Sequence, residues 1–142
     1  MTEDATTVTT VGAWVLVRGG QGDELELYRI VPPEDSDPLR SQLSEASPVA
    51  RALLGRRAGE RVRVQGPVQR EVTILRVWGQ AHCYRVVGGT AGVVEDWQEV
   101  LTGAKSVRPL GMEVLDGDGL GHYEVRDRRG NILRYLVDES RS

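Results

Sequence analysis

Apolar and polar positions near the start of the chain predict two strands. Ala13 to Val17 is an apolar run typical of a buried strand, and Glu24 to Val31 alternates polar and apolar residues. The segment between them, Gly19 to Asp23, is rich in glycine, as turns are. We therefore expect a hairpin, preceded by a flexible, polar tail over residues 1–10.

A short helix with both ends specified is predicted from Ser47 to Gly55. Ser47 is suited to the N-cap, because its hydroxyl accepts from free backbone N–H groups, and Pro48 stands at the first helical position, where no N–H is needed. Gly55 is placed to end the helix in the left-handed conformation. The apolar residues that would form its buried side are Val49, Leu53 and Leu54. Arg51 is then expected to be exposed.

A proline-rich loop precedes this helix and two more strands follow it. Pro32 to Pro38 contains three prolines, which oppose regular structure, and presents carboxylates on an exposed loop. After a corner at Arg56 to Gly59, Glu60 to Gln65 alternates polar and apolar residues. Val72 to Val77 is the next apolar strand. Helix, corner and first strand are expected to form one rigid unit.

The second half of the chain predicts a strand followed by a helix. Ala81 to Val87 has the composition of a strand, and Gly88 to Gly92 is expected to be a loop. Val93 to Leu101 carries apolar residues at the spacing of one helix face, and Gly103 would close that helix.

The last part of the chain predicts a β-meander. Its strands are expected at Met112 to Leu115, His122 to Arg126 and Ile132 to Val137. The turns would lie at Asp116 to Gly119 and Asp127 to Asn131, both of which contain aspartate and glycine. We expect this half to be an extension or a small subdomain.

Composition narrows the classes of protein that remain. The 142 residues are 39% hydrophobic and 27% charged, as in ordinary globular domains. The net charge of −3 gives no broad attraction to phosphates, which disfavours direct nucleic-acid binding. Cys83 is the only cysteine, so an intrachain disulfide is excluded. We find no signal peptide and no apolar run that could span a bilayer, so we expect a cytoplasmic protein without a membrane partner.

One continuous pattern carries a resemblance to a known family. From Ser47 to Val64 the chain reads Ser-Pro-Val-Ala-Arg-Ala-Leu-Leu-Gly-x-x-x-Gly-Glu-x-Val-x-Val. It is preceded by Tyr-Arg-Ile-Val at Tyr28 and followed by the strand from Val72. This pattern resembles the C-terminal domain of the Gre-type transcript cleavage factors, over about Val11 to Trp78. The resemblance implies an FKBP-like fold and a protein that docks on bacterial RNA polymerase near its secondary channel.

The chain also departs from that family. Gre factors carry, ahead of this domain, a long helical hairpin whose acidic tip enters the polymerase channel and helps to hold a catalytic magnesium ion. Only ten residues precede Val11. We therefore expect the hairpin to be absent, no transcript cleavage activity, and no metal or other cofactor.

The resemblance also suggests docking residues. Gre domains carry an acidic residue before the Ser-Pro helix, and Asp37 lies at that position. We predict that Asp37, Ser47, Pro48 and Arg51 contact RNA polymerase. The alternative is that Asp37 is only a turn residue and Ser47 only a cap.

An alternative hypothesis is that the chain is a repurposed scaffold that acts as a small enzyme or a small-molecule-binding protein. Its site would lie in the region of His82, Cys83 and His122. A Cys–His pair can make an activated thiolate, and a His beside Glu124 can act as a general base, if the side chains lie within hydrogen-bonding reach. The alternation of residues favours a core position for Cys83 and a surface position for His122. Asp116 to Gly119 has the composition of a calcium loop but lacks the closing glutamate, which favours an ordinary turn.

Together these observations predict an α+β protein. Residues 11–78 would form an FKBP-like antiparallel sheet with a short helix, and residues 79–142 an α+β extension with a helix and a meander. The function expected is that of a non-enzymatic transcription regulator that binds RNA polymerase.

Overall fold

The computed structural model describes residues 8–19, 24–65, 70–110 and 120–138. The chain divides into two compact units, Met1–Gly79 and Gln80–Ser142. Each unit is built on a five-stranded sheet and carries one short α-helix. The predicted α+β class is confirmed.

The first unit contains the strands that the sequence predicts and one more. They are β1 (Trp14–Gly19), β2 (Leu25–Val31), β3 (Gln42–Ser44), β4 (Arg61–Val64) and β5 (Arg70–Trp78). Their order in the sheet is β3-β2-β1-β5-β4, so β3 and β4 are the two edges. The unpredicted strand, β3, pairs parallel to β2, and the sheet is therefore mixed rather than wholly antiparallel.

The proline-rich loop is more regular than predicted. Two single 3₁₀ turns occupy it, Pro33–Asp35 and Pro38–Arg40. Proline is compatible with the first position of such a turn because its φ is already fixed near the helical value. Asp37 and Gln42 then exchange backbone hydrogen bonds of 2.9 and 3.0 Å, which close the loop ahead of β3.

The predicted helix is α1 (Pro48–Leu53), and its ends are as expected. The Ser47 hydroxyl accepts a hydrogen bond from the N–H of Ala50 at 3.2 Å, and Gly55 has a φ of +81°. The buried side differs in detail, since Ala50 and Leu53 are fully buried. Partly buried residues flank them: Val49, Ala52 and Leu54. This side packs on an aliphatic core that includes Val15, Val17, Ile30, Val62, Val72 and Ile74.

Residues 8–10 belong to the first unit, contrary to the prediction of a flexible tail over residues 1–10. Val8 forms a β-bridge with Arg57, and Thr9 is 1% exposed. The N–H of Gly55 donates to the carbonyl of Thr9 at 2.9 Å. These contacts hold the segment against the loop after α1. Residues 1–7 lie outside the described part of the chain.

The second unit is an antiparallel sheet with a helix after its second strand in sequence. Its strands are β6 (His82–Val87), β7 (Thr90–Asp96), β8 (Ala104–Pro109), β9 (Leu120–Asp127) and β10 (Ile132–Asp138), in the order β7-β6-β10-β9-β8. The helix is α2 (Trp97–Thr102). The predicted strands at His122 and Ile132 and the turn after Asp127 are confirmed, whereas β8 was not predicted. The predicted strand at Met112 and turn at Asp116 lie outside the described residues.

The helix predicted over Val93 to Leu101 is wrong in its first four residues, which belong to β7. Gly88 and Gly89, with φ of +60° and +82°, form a two-residue turn that folds β7 back on β6. Positive φ at both central residues defines the turn that matches the twist of a hairpin. Helix α2 begins only where the Asp96 carboxylate accepts from the N–H of Gln98 at 2.9 Å.

Aromatic residues form the core of the second unit. Trp97, at the start of α2, is fully buried, and its ring centroid lies 5.8 Å from that of Tyr123 and 5.7 Å from that of Tyr135. Tilted rings at this separation attract one another beyond the area they bury. None of the helices in the described segments has the length and apolar run needed to cross a membrane.

Candidate docking surface

The corner between α1 and β4 explains why the sequence needs two glycines and a glutamate there. Gly55 and Gly59 have φ of +81° and +95°, which side chains with a Cβ rarely adopt. One carboxylate oxygen of Glu60 accepts from the N–H of Arg57 at 2.8 Å, and the other lies 3.5 Å from the Arg56 guanidinium. The backbone N–H of Gly59 donates a hydrogen bond to the backbone carbonyl of Ile74 on β5 at 2.7 Å. Helix and strand are therefore fixed to each other, as the sequence predicts.

A groove lies beside α1, along the edge strand β4. We call it the α1–β4 groove, and its lining residues are Ala46, Pro48, Arg51, Ala52, Arg63 and Gln65. Its volume is about 420 Å³. Small and apolar residues make up half of the lining, while two arginines supply positive charge. Such a groove can receive an apolar side chain and a neighbouring anionic group.

Two of the four predicted docking residues line this groove. Pro48 and Arg51 are both exposed on α1. Ser47 is half-buried, and its hydroxyl serves as the N-cap. The structural role predicted for Ser47 is thus present.

Asp37 lies apart from the groove. It bridges to Gln42 beside β3, at the other edge of the sheet from β4. Its side chain is 43% exposed and lies 3.7 Å from the guanidinium of Arg40. Asp37 is therefore accessible, but the structure does not join it to Pro48 and Arg51 in one concave site.

The residues that sequence reasoning missed are Ala46, Ala52, Arg63 and Gln65. Arg63 is on β4, where exposed arginines alternate with the buried Val62 and Val64. That alternation predicts that Arg63 is exposed, but only the packing of α1 on β4 brings it beside the helix. Arg63 lies 3.7 Å from Glu71 on β5.

The rival site in the second unit is not assembled. Across the sheet, Cys83 of β6 pairs with Val137 of β10, whereas His122 of β9 pairs with the adjacent residue of β10, Leu136. Two residues paired in this way have their side chains on the same face. Successive side chains of a strand point to opposite faces, so Cys83 and His122 lie on opposite faces of the sheet. His82 precedes Cys83 on β6 and also points away from it.

The electrostatics of Cys83 also oppose nucleophilic chemistry. Burial, followed by the charges of Glu95 and Asp96, raises the pKa of the Cys83 thiol from 9.0 to about 12. A thiol with such a pKa is protonated at neutral pH, and the thiolate is the reactive form. The carboxylate of Glu124, the possible partner of His122, lies 3.3 Å from the guanidinium of Arg108. Cys83 is a core residue, as the alternation of the sequence predicts.

The mixed sheet and the helix–corner–strand unit define the first unit as a small α+β domain. Residues 4–79 match the family "Transcription elongation factor, GreA/GreB, C-term", which is more than half of the chain. The chain belongs to this family. The match begins seven residues before the Val11 boundary that the sequence pattern suggested and ends one residue after Trp78.

Curated relatives share the same region. GreA of Thermotoga sp. (strain RQ2) is 41% identical over 58 residues, which is 41% of this chain and 37% of that protein. GreB of Yersinia pestis is 45% identical over 56 residues, or 39% of this chain and 32% of that protein. The chain thus spans less than half of the length of the curated relatives that it matches.

Solved structures agree with these matches. Gfh1 of Thermus aquaticus superposes with a TM-score of 0.50 and 26% identity, over 54% of this chain and 52% of that one. Another structure of the transcription factor Gfh1 gives a TM-score of 0.50 at 27% identity, over 56% and 53% of the two chains.

Proposed function

We propose that this chain is a non-enzymatic transcription regulator that docks on bacterial RNA polymerase near the secondary channel and does not stimulate transcript cleavage. The observation that carries the proposal is the family match over residues 4–79, with the pattern from Ser47 to Val64 folded as one rigid helix–corner–strand unit. The relatives that share this region are transcription factors and transcription elongation factors.

The structure also supports a docking role for Arg51 on α1 and, separately, for Asp37 beside β3. A residue whose side chain the fold does not use is free to contact a partner. Among the described residues, Arg51 has no carboxylate within ion-pairing distance, and Asp37 has only the exposed pair with Arg40. Exposed pairs of this kind contribute little to stability. Docking through these residues would let the chain compete with other factors that bind at the secondary channel, or bring its second unit to the polymerase.

The test compares stability with binding. RNA polymerase core enzyme is titrated against the 142-residue chain immobilised through its N-terminus, and melting temperatures are measured in parallel. Asp37→Arg and Arg51→Ala should each change stability by only about 0.5 kcal/mol. Loss of a buried charged contact typically costs about 2–5 kcal/mol of binding free energy. The loss of binding free energy for polymerase should therefore be much larger than the change in folding stability.

Two results would contradict the proposal. One is the absence of binding by the unmodified chain at micromolar polymerase. The other is native affinity in both variants, which would show that the predicted docking residues are not used. Gfh1 of Thermus aquaticus, tested with its own polymerase, is the control for the assay.

A further inference from the structure

Helix α2 covers only part of one face of the sheet in the second unit. It has six residues, a length of about 9 Å, whereas the eight residues of β9 extend for about 26 Å. A cavity of about 410 Å³ lies beside the helix, between it and strands β9 and β10. We call it the α2–β10 cavity, and its lining includes Val100, Gly103 and Tyr135.

The side chains that β9 and β10 contribute to the middle of this cavity are apolar or aromatic. Val125 pairs with Leu133 across the two strands, and Tyr135 follows two residues later, so all three lie on one face of the sheet. Val100 of α2 lines the cavity as well. Leu133 and Val100 are only half-buried. Apolar surface is therefore available to an occupant.

Gly103 keeps the cavity open. It follows α2 with a φ of −91° and a ψ of 1°, a conformation that residues with side chains adopt at the third position of type I turns. A Cβ at this position would have as its nearest neighbour the carbonyl oxygen of Val100, at 3.9 Å, which is ordinary van der Waals contact. Neither the backbone nor the packing requires glycine here. The consequence of the missing side chain is a larger cavity.

Carboxylates outnumber cations around the cavity. Its lining has four carboxylates, a formal charge of −3 once the guanidinium of Arg85 is included; they belong to Glu95, Asp96, Glu99 and Asp127. Arg85 lies 3.5 Å from Glu95, so one of these charges is paired. The remaining negative charge favours a positively charged occupant.

Glu99 is the carboxylate that the fold does not use. Asp96 caps α2, and Asp127 accepts hydrogen bonds from the N–H groups of Arg129 and Asn131 in the turn after β9. Glu99 is exposed on α2, and in the described part of the chain its carboxylate has neither a hydrogen bond nor an ion pair. It is therefore available to a partner.

A long organic cation fits this cavity better than a metal ion or a phosphate. Among the described residues, no three metal-ligating side chains are placed to hold an ion. Phosphates would be repelled by the carboxylates. Arginine and lysine have an apolar stem that can cover apolar surface while the charged end meets a carboxylate. Arg85 already makes such contacts, because its guanidinium lies 5.9 Å from the ring centroid of Tyr135 and also pairs with Glu95.

We propose that the α2–β10 cavity receives a basic segment of a partner protein, in which an arginine pairs with Glu99 while its stem contacts Val100 and Leu133. Arginine suits the site better than a polyamine does, because a guanidinium binds a carboxylate at two points and is less strongly hydrated than an ammonium group. The second unit lies outside the family match over residues 4–79. The inference is therefore independent of the proposed docking on polymerase, and it gives the second unit a binding role of its own.

A peptide titration is the first test. The probe is a short peptide in which one arginine lies between two leucines, and it is titrated into the ¹⁵N-labelled 142-residue chain. It should shift the amide resonances of Glu99, Val100 and Gly103. The control peptide carries citrulline in place of arginine, which keeps the shape and removes the charge. Equal shifts with both peptides, or none with the arginine peptide, would overturn the inference.

Charge reversal tests the pairing with Glu99. Glu99→Arg should weaken the affinity for the arginine peptide by about tenfold, because it places like charges together. Glu34→Arg is the matched control, since it changes the net charge equally at an exposed position of the first unit that does not line the cavity. Its affinity should stay within about twofold of the unmodified chain. Equal affinities of the two variants would contradict the proposed pairing.

A steric variant tests the cavity without a change of charge. Gly103→Leu should fill part of the cavity and weaken peptide binding by about tenfold. Thr102→Leu introduces the same side chain at the preceding exposed position, which does not line the cavity, and should bind as the unmodified chain does. Melting temperatures verify that both variants are folded. Native affinity in the folded Gly103→Leu variant would contradict the inference.

Spermidine separates a protein segment from a small cation as the occupant. It carries ammonium groups only, so it should bind more weakly than the arginine peptide. Equal or tighter binding of spermidine would overturn the assignment to a protein partner. The polymerase titration described above stays a separate measurement. If the unmodified chain failed to bind polymerase but bound the arginine peptide through Glu99, the proposed function would fail and this inference would stand.

Discussion

The carbonyl oxygen of Arg56 accepts two hydrogen bonds from Thr9, one from the backbone N–H at 2.9 Å and one from the hydroxyl at 2.8 Å. Thr9 is the only charged or polar residue that is buried among those described. The pair connects the start of the described chain to the corner after α1. It therefore links the N-terminal segment to the part of the domain that carries the candidate docking surface.

Thr9→Val should destabilise the protein by about 1 kcal/mol. Valine has the shape of threonine but lacks the hydroxyl, so one buried hydrogen bond is lost while the backbone bond to Arg56 remains. Urea denaturation measures the effect. Thr10→Val, at an exposed neighbouring position, is the control, and an equal loss in both variants would show that the hydroxyl of Thr9 has no special role.

Leu53→Ala should cost about 2–5 kcal/mol, the range for a buried leucine that leaves a cavity. Leu53 is fully buried under α1, whereas Leu39 is 86% exposed. Leu39→Ala should therefore change stability by less than about 0.5 kcal/mol. The measurement is denaturant titration of both variants. A loss below about 1 kcal/mol for Leu53→Ala would mean that α1 is not packed on the sheet as described.

Gly59→Ala should destabilise the corner by about 1–2 kcal/mol. No atom within 4 Å would meet the added Cβ, so the cost comes from the positive φ alone. Gly79→Ala is the matched control, because that position has equal space and no positive φ. Thermal unfolding of the two variants compares them directly. Equal melting temperatures would contradict the backbone argument.

The thiol of Cys83 should be unreactive in the folded protein at pH 8. Its pKa is raised to about 12, mainly by burial, and alkylation requires the thiolate. Iodoacetamide should therefore modify the native chain far more slowly than the chain in urea, which is the control. Equal rates would show that Cys83 is exposed or activated.

The same pKa gives a pH dependence of stability. The folded state holds the thiol proton more tightly than the unfolded state does. The stability that the Cys83 thiol contributes by this difference is therefore fully present below about pH 9 and is lost as the pH rises toward 12. Tyr28, whose pKa is raised to about 12 by burial and by its hydrogen bond to Glu26, acts in the same direction above pH 10. Cys83→Ala should make the free energy of unfolding less steep between pH 9 and 10. An unchanged slope would contradict the assignment.

The proposed role predicts that the 142-residue chain does not stimulate transcript cleavage. Backtracked elongation complexes incubated with it should release cleavage products at the intrinsic rate of the polymerase. GreB of Yersinia pestis serves as the positive control. Faster cleavage that copurifies with the chain, and that is absent from a mock preparation of the same strain, would disprove this prediction.

The sequence predicts the first unit well because its signals are local. Ser47, Pro48 and Gly55 specify the ends of α1 through capping and backbone conformation, and these interactions involve residues at most four positions apart. The alternation of β4 likewise shows which side chains are buried. Strand β3 was missed because its three residues are all half-buried and pair in parallel with β2, an arrangement without a local signature.

The second unit shows where local patterns mislead. Val93 and Val94 fit the spacing of a helix face with Val100 and Leu101, yet the turn at Gly88 and Gly89 sets them on a strand. Two glycines followed by β-branched residues are a hairpin signal that outweighs four residues of helical periodicity. The candidate docking surface was predicted only in part, because the groove depends on how α1 lies against β4.

Strand β7 is an open edge, and its shape bears on how the protein behaves in concentrated solution. Val93 and Val94 are 79% and 51% exposed there, which is a template for pairing with another molecule. The register with β6 shifts beside them, where the strand bulges, and Glu95 and Asp96 follow at once. A bulge twists an edge away from a flat neighbour, and like charges repel a second copy. Replacing Glu95 by a neutral residue would remove part of that repulsion, so we expect such a variant to aggregate more readily than the unmodified protein at the same concentration.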